Sequence, residues 1–121
     1  MIRKRILLVD DSNTALMMEK MVLKGYDVEV ARDGQEGLEK AIAAPPDLIL
    51  LDLVMPRMDG LEACKRLRHH EATRAVPIIM VTTRSEESNV EAGFVNGCTE
   101  YVTKPINGPE LLSKVRNLLG A

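Results

Sequence analysis

The sequence has few aromatic residues, few cysteines and no long apolar segment. It contains two tyrosines, one phenylalanine and no tryptophan among 121 residues. Cys64 and Cys98 stand far apart, without a CxxC motif or a nearby histidine pair, so we expect neither a disulfide framework nor a zinc site. No apolar run approaches the ~20 residues that a membrane helix needs, and the apolar start of the chain is too short for a signal peptide. We therefore expect a cytoplasmic protein without membrane contact.

The charge balance is slightly acidic. The chain has sixteen Lys and Arg residues and eighteen Asp and Glu residues, which gives a formal net charge of −2. No basic stripe is present, so direct nucleic-acid binding is not expected. The apolar fraction of 45% and the length of 121 residues are typical of one globular domain, which we place at residues 1–121.

Short apolar runs alternate with segments of helical spacing. The runs, typical of buried parallel strands, are residues 6–9, 28–31, 48–51, 78–81 and 101–102. The helical segments are residues 13–24, 35–43, 60–69, 87–96 and 109–119. Gly25 is the predicted C-cap of the first helix, and Asn107 the predicted N-cap of the last, with Pro109 in its first turn. The pattern predicts a doubly wound (βα)5 α/β fold, flavodoxin-like, whose five-stranded parallel sheet has the order 2-1-3-4-5.

Polar residues follow four of the five predicted strands. They are Asp10, Asp11, Asp52, Thr82 and Lys104. In a doubly wound sheet, ligands bind beyond the carboxyl ends of the strands, so these side chains are expected to converge. Asp33 follows the second strand, at the edge of the sheet, and is interpreted as a helix N-cap.

Three converging carboxylates need a counter-charge. Two carboxylates ~5 Å apart repel by about 3 kcal/mol at an effective dielectric of 20, so three pairs cost on the order of 10 kcal/mol. An all-oxygen donor set without His or Cys favours a hard cation, and few protein ligands favour Mg²⁺ over Ca²⁺. No GxxxxGK[ST] motif is present, so this is not a nucleotide-binding loop. A carboxylate in such a pocket can itself be a nucleophile and form an aspartyl phosphate.

Four motifs carry a family resemblance. They are ILLVDDS at 6–12, DLILLDLVMPRMDG at 47–60, PIIMVTT at 77–83 and EYVTKP at 100–105. Together they resemble the CheY-like receiver domains of two-component response regulators over essentially the full chain. The resemblance implies a phosphorylation-dependent switch rather than an enzyme. Its phosphodonor would be a phosphohistidine on a sensor histidine kinase or a phosphotransfer domain.

The same resemblance implies roles for the acidic residues. Asp52 would be the phosphoacceptor. Asp11 and Asp52 would ligate Mg²⁺ directly, together with the backbone carbonyl of Val54. Asp10 would hold a metal-bound water.

The resemblance also implies a switch and an output surface. Thr82 would donate its hydroxyl to the phosphoryl group, Lys104 would pair with that group, and the Lys104–Pro105 bond would be cis. Tyr101 would be the aromatic side chain whose rotamer follows Thr82. A downstream effector would bind the face formed by residues 87–96, 100–103 and 109–119, and the chain would be a monomer or a weak phosphorylation-dependent dimer.

Some residues depart from the family pattern, and other interpretations remain open. Four residues differ from common family choices, which puts the lifetime of the phosphorylated state in doubt. They are Thr83, Cys98, Val54 and Arg84.

Two other functions remain open. One is a phosphatase of the haloacid-dehalogenase type, which would need Asp-x-Asp after the first strand. The other is a degenerate receiver that only binds proteins. The methionines of helix 13–24 either fill the core or form an exposed docking patch, and core filling is the favoured interpretation.

Overall fold

The structure is a computed structural model that describes residues 3–83 and 87–120. Arg84, singled out above, lies outside the described residues. Strands and helices alternate along this part of the chain. They are β1 Arg5–Val9, α1 Asn13–Val22, β2 Asp27–Ala31, α2 Gly34–Ala43, β3 Leu48–Asp52, α3 Gly60–His69, β4 Ile78–Thr83, α4 Glu87–Val95, β5 Glu100–Lys104 and α5 Gly108–Leu119.

The five strands form one parallel sheet in the order β2-β1-β3-β4-β5, as predicted. Successive residues of a strand point to opposite faces. Ile6 and Leu8 of β1 therefore pack with α1 and α5, in what we call the first core. Leu7 and Val9 point the other way, into the second core, on the face covered by α2, α3 and α4. Burial on both faces explains the continuous apolar runs.

Polar side chains begin four of the helices. Ser12, Asp33, Asp59 and Asn107 each accept a hydrogen bond from the backbone N–H three residues further on. The N-cap predictions for Asp33 and Asn107 are confirmed. Such caps satisfy backbone donors that the first helical turn leaves without a partner.

The predicted end of the first helix is wrong. The helix ends at Val22, and the backbone N–H of its C-cap, Leu23, donates to the carbonyl of Glu19. Leu23 is fully buried in the first core, and the N–H of Tyr26 donates to its carbonyl. The chain therefore turns toward β2 before it reaches Gly25, because the burial of Leu23 fixes where the helix must stop.

The methionines of α1 do not fill the core. Met17, Met18 and Met21 are 64%, 41% and 69% exposed, so the favoured core-filling interpretation is wrong. The buried residues of this helix are Leu16 and Glu19. Among the described residues, no helix is both long and apolar enough to cross a bilayer.

The loop after β3 is pressed against the start of α2. A Cβ on Gly34 would lie 2.1 Å from the carbonyl oxygen of Met58, so only glycine fits this contact. Arg57, at φ 66°, donates from Nε to Asp33 Oδ2 at 2.9 Å, and its Nη2 forms an ion pair with the same oxygen at 2.8 Å. These contacts hold the loop beside the carboxyl edge of the sheet.

Candidate metal site at the carboxyl edge of the sheet

Three aspartates meet where β1 and β3 end. Asp10 and Asp11 follow β1, and Asp52 is the last residue of β3. Because β1 and β3 are neighbours, with Val9 opposite Leu51, the residues that follow are brought side by side. One carboxylate oxygen of each aspartate lies within 4.8 Å of the others. The predicted convergence of these acids is what the structure shows.

Two backbone hydrogen bonds hold Asp10 on the buried side of the cluster. Its N–H donates to the carbonyl of Ala31 at 3.0 Å, and its Oδ1 accepts the N–H of Ser12 at 2.8 Å. Asp10 and Asp52 are buried, whereas Asp11 is exposed. The cluster is therefore open to solvent on the Asp11 side.

Lys104 faces two of the three acids. Its Nζ lies 3.3 Å from Asp52 Oδ1 and 3.5 Å from Asp10 Oδ2. Alternation along β5 puts Lys104 on the same face as Val102, which belongs to the first core. Burial lowers the pKa of Lys104, but the carboxylates of Asp52 and Asp10 outweigh burial, and the pKa is raised. The Lys104 ammonium therefore stays charged. The predicted cis bond between Lys104 and Pro105 is confirmed.

Among the described residues, three acids meet one ammonium group at this site, and the raised pKa of Asp52 shows the cost of that imbalance. Burial first, and the charge of Asp10 second, raise it to about 6 despite Lys104. Asp52 is thus mostly ionised at neutral pH but close to taking up a proton. A hard divalent cation suits this arrangement, since the donors are all oxygens and the open side leaves room for water.

Val54 lies two residues beyond Asp52, with an exposed side chain. The loop around it is fixed by two backbone hydrogen bonds, from Leu53 N–H to the Val81 carbonyl at 3.0 Å and from Gly60 N–H to the Leu53 carbonyl at 2.8 Å. A Cβ on Gly60 would lie 2.3 Å from the Asp52 carbonyl oxygen, so the start of α3 also presses on this loop. The role of the Val54 carbonyl as a ligand stays a prediction.

Thr82 and Tyr101 lie on the other face of the sheet from Lys104. Thr82 follows Val81, the register partner of Asp52, and its buried hydroxyl has no hydrogen-bond partner among residues 3–83 and 87–120. Tyr101 is half-buried against the second core, with its ring edge-on to Phe94 at 6.0 Å between centroids. Lys114 Nζ lies 4.9 Å from the centre of the tyrosine ring. Their predicted roles in a switch are taken up below.

A fourth acid near the site was not identified from the sequence. Glu19 is 1% exposed, and neither of its carboxylate oxygens has a hydrogen-bond partner in the described part of the chain. Burial, and then the charge of Asp10, raise its pKa to about 8. Its spacing from Leu16 and Leu23, three and four residues away, places it on the buried stripe of α1, and this was the signal available in the sequence.

Comparison with known proteins agrees with the fold and the acidic cluster. The sequence profile of the response regulator receiver domain matches residues 6–116. A DNA-binding dual master transcriptional regulator, RpaA of Synechocystis sp., is 40% identical over 117 residues, covering 95% of this chain and 48% of RpaA.

Two solved structures share the whole fold. The chemotaxis response regulator CheY4 of Vibrio cholerae superposes with a TM-score of 0.90 at 36% identity, covering 97% of this chain and 99% of CheY4. The receiver domain of the sensor histidine kinase PA1611 of Pseudomonas aeruginosa gives 0.91 at 30% identity, covering 98% and 99%. That domain carries a magnesium ion coordinated in its active-site cleft.

The chain belongs to the response regulator receiver domain family of two-component signalling. Domains of this family are regulatory, and response regulators work with histidine kinases and effectors. The chain spans about half the length of the curated relatives it matches.

Proposed function

We propose that this chain is a phosphorylation-dependent switch that accepts a phosphoryl group on Asp52 with the help of Mg²⁺. The observation that carries the proposal is the cluster of three carboxylates within 4.8 Å, with the Lys104 ammonium 3.3 Å from Asp52. The cluster combines a nucleophile, a fixed positive charge and oxygen ligands for a hard cation. Phosphoryl transfer depends mainly on positioning and on the neutralisation of charge, which these groups supply.

Each residue of the cluster has a distinct task in the transfer. An oxygen of Asp52 attacks phosphorus, and the bond from phosphorus to the donor's imidazole nitrogen breaks, with its electron pair leaving on the imidazole. Lys104 neutralises charge on the phosphoryl oxygens. Asp11, Asp52 and the Val54 carbonyl would hold Mg²⁺ directly, and Asp10 through water. When bound, the ion neutralises the carboxylates and the incoming phosphoryl group.

Thr82 and Tyr101 connect the site to the output face. A phosphoryl group adds roughly two negative charges and new acceptor oxygens, and the unpartnered hydroxyl of Thr82 can turn to donate to one of them. Thr82 and Tyr101 extend from the same face of neighbouring strands, with Met80 opposite Tyr101 in the register. Movement of Thr82 leaves space that the Tyr101 ring fills, which changes the surface of α4, β5 and α5.

The phosphodonor is a phosphohistidine of a sensor kinase or phosphotransfer domain, and the output is binding of an effector. The exposed patch of Met17, Met18 and Met21 on α1 gives the donor an adaptable apolar surface near the site. Binding of nucleic acid by this chain itself is not expected, although relatives that extend beyond it are DNA-binding regulators. We expect a monomer or a weak phosphorylation-dependent dimer.

The test is incubation of the protein with Mg²⁺ and acetyl phosphate. We expect one labile acyl phosphate per chain, none in Asp52→Asn, and normal labelling in the control Asp27→Asn, which changes an exposed aspartate of β2. Full labelling of Asp52→Asn would refute the assignment. Release of phosphate over many turnovers would instead indicate a phosphatase, and neither labelling nor release would indicate a degenerate receiver.

A further inference from the structure

Glu19 lies on the same face of the sheet as the metal site. It stands between Leu16 and Leu23 on the stripe of α1 that packs in the first core. Asp52 and Lys104 extend to this face because they follow Leu50 and Val102 at two-residue spacing, and both of those residues belong to the first core. The carboxyl group of Glu19 therefore lies in the same layer as the acidic cluster, away from solvent, and the charge of Asp10 raises its pKa.

Among the described residues, three buried carboxylate oxygens on this face accept no hydrogen bond. They are Asp10 Oδ2, Glu19 Oε1 and Glu19 Oε2. Asp10 Oδ2 lies 3.5 Å from the Lys104 ammonium, while Asp10 Oδ1 is fixed by the N–H of Ser12. A buried polar group without a partner is costly, and proteins commonly satisfy such groups with an ordered water.

We propose that Glu19 and Asp10 share a buried water molecule beneath the metal site, and that Glu19 thereby positions Asp10 for the cation. The inference rests on the proposed Mg²⁺ site and adds to it a residue outside the predicted ligand set. Glu19 is a positioning residue, since it acts through Asp10 and touches neither the metal nor the phosphoryl group.

Hydrogen-bond chemistry supports the shared water. A water molecule offers two donors and two acceptors, so it can donate to Asp10 Oδ2 and bond to the Glu19 carboxyl whether or not Glu19 is protonated. With Oδ1 held by Ser12 N–H and Oδ2 held by the water, rotation of the Asp10 carboxylate is fixed from both sides. Asp10 is the carboxylate that would hold a metal-bound water, and loss of outer partners of this kind commonly weakens metal affinity tenfold or more.

Two substitutions separate positioning from charge and from stability. Glu19→Gln removes the ionisable group but keeps a polar side chain of the same size, which can still bind the water. Glu19→Leu removes the carboxyl group and its hydrogen bonds together and suits the apolar surroundings. Calorimetric titration with Mg²⁺ alone at neutral pH measures affinity, and urea unfolding without metal measures stability.

We expect Glu19→Leu to weaken Mg²⁺ binding about tenfold. The same variant should unfold at the same urea concentration as the wild type or at a higher one. Glu19→Gln should stay within about twofold of the wild-type Mg²⁺ affinity. A crystal structure of the wild type should show one ordered water within hydrogen-bond distance of both carboxyl groups. A merely structural role would not lower affinity in a variant that is equally or more stable.

The outcomes that overturn the inference are distinct from failure of the proposed function. If the wild type binds Mg²⁺ and Glu19→Leu binds it equally well, Glu19 does not position Asp10. Equal losses in the Gln and Leu variants would point to charge rather than to hydrogen bonding and would also overturn the inference. A wild type that does not bind Mg²⁺ would refute the metal site itself.

Discussion

The buried carboxyl of Glu19 should make the stability of the protein fall as the pH rises. Its pKa is raised from 4.5 to about 8 in the folded protein, with burial as the larger cause and the charge of Asp10 as the next. Between these values the folded state keeps a proton that the unfolded state has lost, so unfolding becomes easier with increasing pH. Below pH 4.5 both states are protonated, and the cost disappears.

The size of the effect follows from the shift. Neutral pH lies about 2.5 pH units above the ordinary pKa of 4.5, and at about 1.4 kcal/mol per pH unit the retained proton costs the folded state about 3 kcal/mol. The isosteric Glu19→Gln variant does not titrate, so its stability relative to the wild type should rise by about 3 kcal/mol between about pH 4.5 and pH 7. Asp52, whose pKa is also raised, is present in both proteins and largely cancels.

Urea unfolding followed by far-ultraviolet circular dichroism measures this difference, since the chain has no tryptophan for fluorescence. The experiment is done in a chelator, so that no cation neutralises the neighbouring acids. Glu36→Gln is the matched control, because a backbone hydrogen bond from Arg32 lowers the pKa of Glu36 below 4.5. The contribution of Glu36 therefore changes mainly below pH 4.5, and its difference from the wild type should stay nearly constant between about pH 4.5 and pH 7. A wild-type minus Glu19→Gln difference that stays constant across this pH range would refute the reasoning.

Further predictions concern the metal, the switch and the scaffold. Asp11→Ala should weaken Mg²⁺ binding at least tenfold in a calorimetric titration, whereas Asp27→Ala, outside the cluster, should leave it unchanged. Thr82→Ala should still be phosphorylated, but it should lose most of the coupling of about 1–3 kcal/mol by which beryllofluoride changes effector affinity. The measurement is the ratio of effector affinities with and without beryllofluoride, and an unchanged ratio in the variant would show that the signal takes another route. Arg68→Met should destabilise the protein by about 2–3 kcal/mol in urea unfolding, because the guanidinium donates to the carbonyls of Gly97 and Val76, each at 2.7 Å; an unaltered midpoint would contradict this.

Much of the fold could be predicted because its signals are local. Continuous apolar runs predicted β1, β3 and β4, while the weaker run at 28–31 and the short one at 101–102 predicted β2 and β5. The alternation with helices then favoured the strand order that the sheet has. The acids and the lysine could then be placed together, because the carboxyl ends of parallel strands share an edge. The cis Lys104–Pro105 bond was predicted from the family resemblance, because no local sequence pattern indicates it.

Details that depend on packing could not be predicted in the same way. Apolar residues lie almost all round α1, so the sequence did not show which stripe faces the sheet, and the exposure of Met17 and Met21 was misjudged. Glu19 was overlooked for the same reason, since a glutamate between methionines resembles a solvent-facing residue. The end of α1 depended on the burial of Leu23 rather than on the nearby Gly25.

The sheet separates two residues on which the proposed switch depends. Lys104 extends into the layer of α1 and α5, whereas Tyr101 extends into the opposite layer, with its ring against Phe94. Helix α5 nevertheless reaches the tyrosine at the edge of the sheet, because Lys114 Nζ lies 4.9 Å from the centre of its ring. A substitution on α1 can therefore leave the pair of Tyr101 and Phe94 untouched, whereas a substitution on α5 can change the surroundings of both α1 and Tyr101. Under the proposed function, a change of upstream partner through α1 is separable from a change of target, and a change through α5 is not.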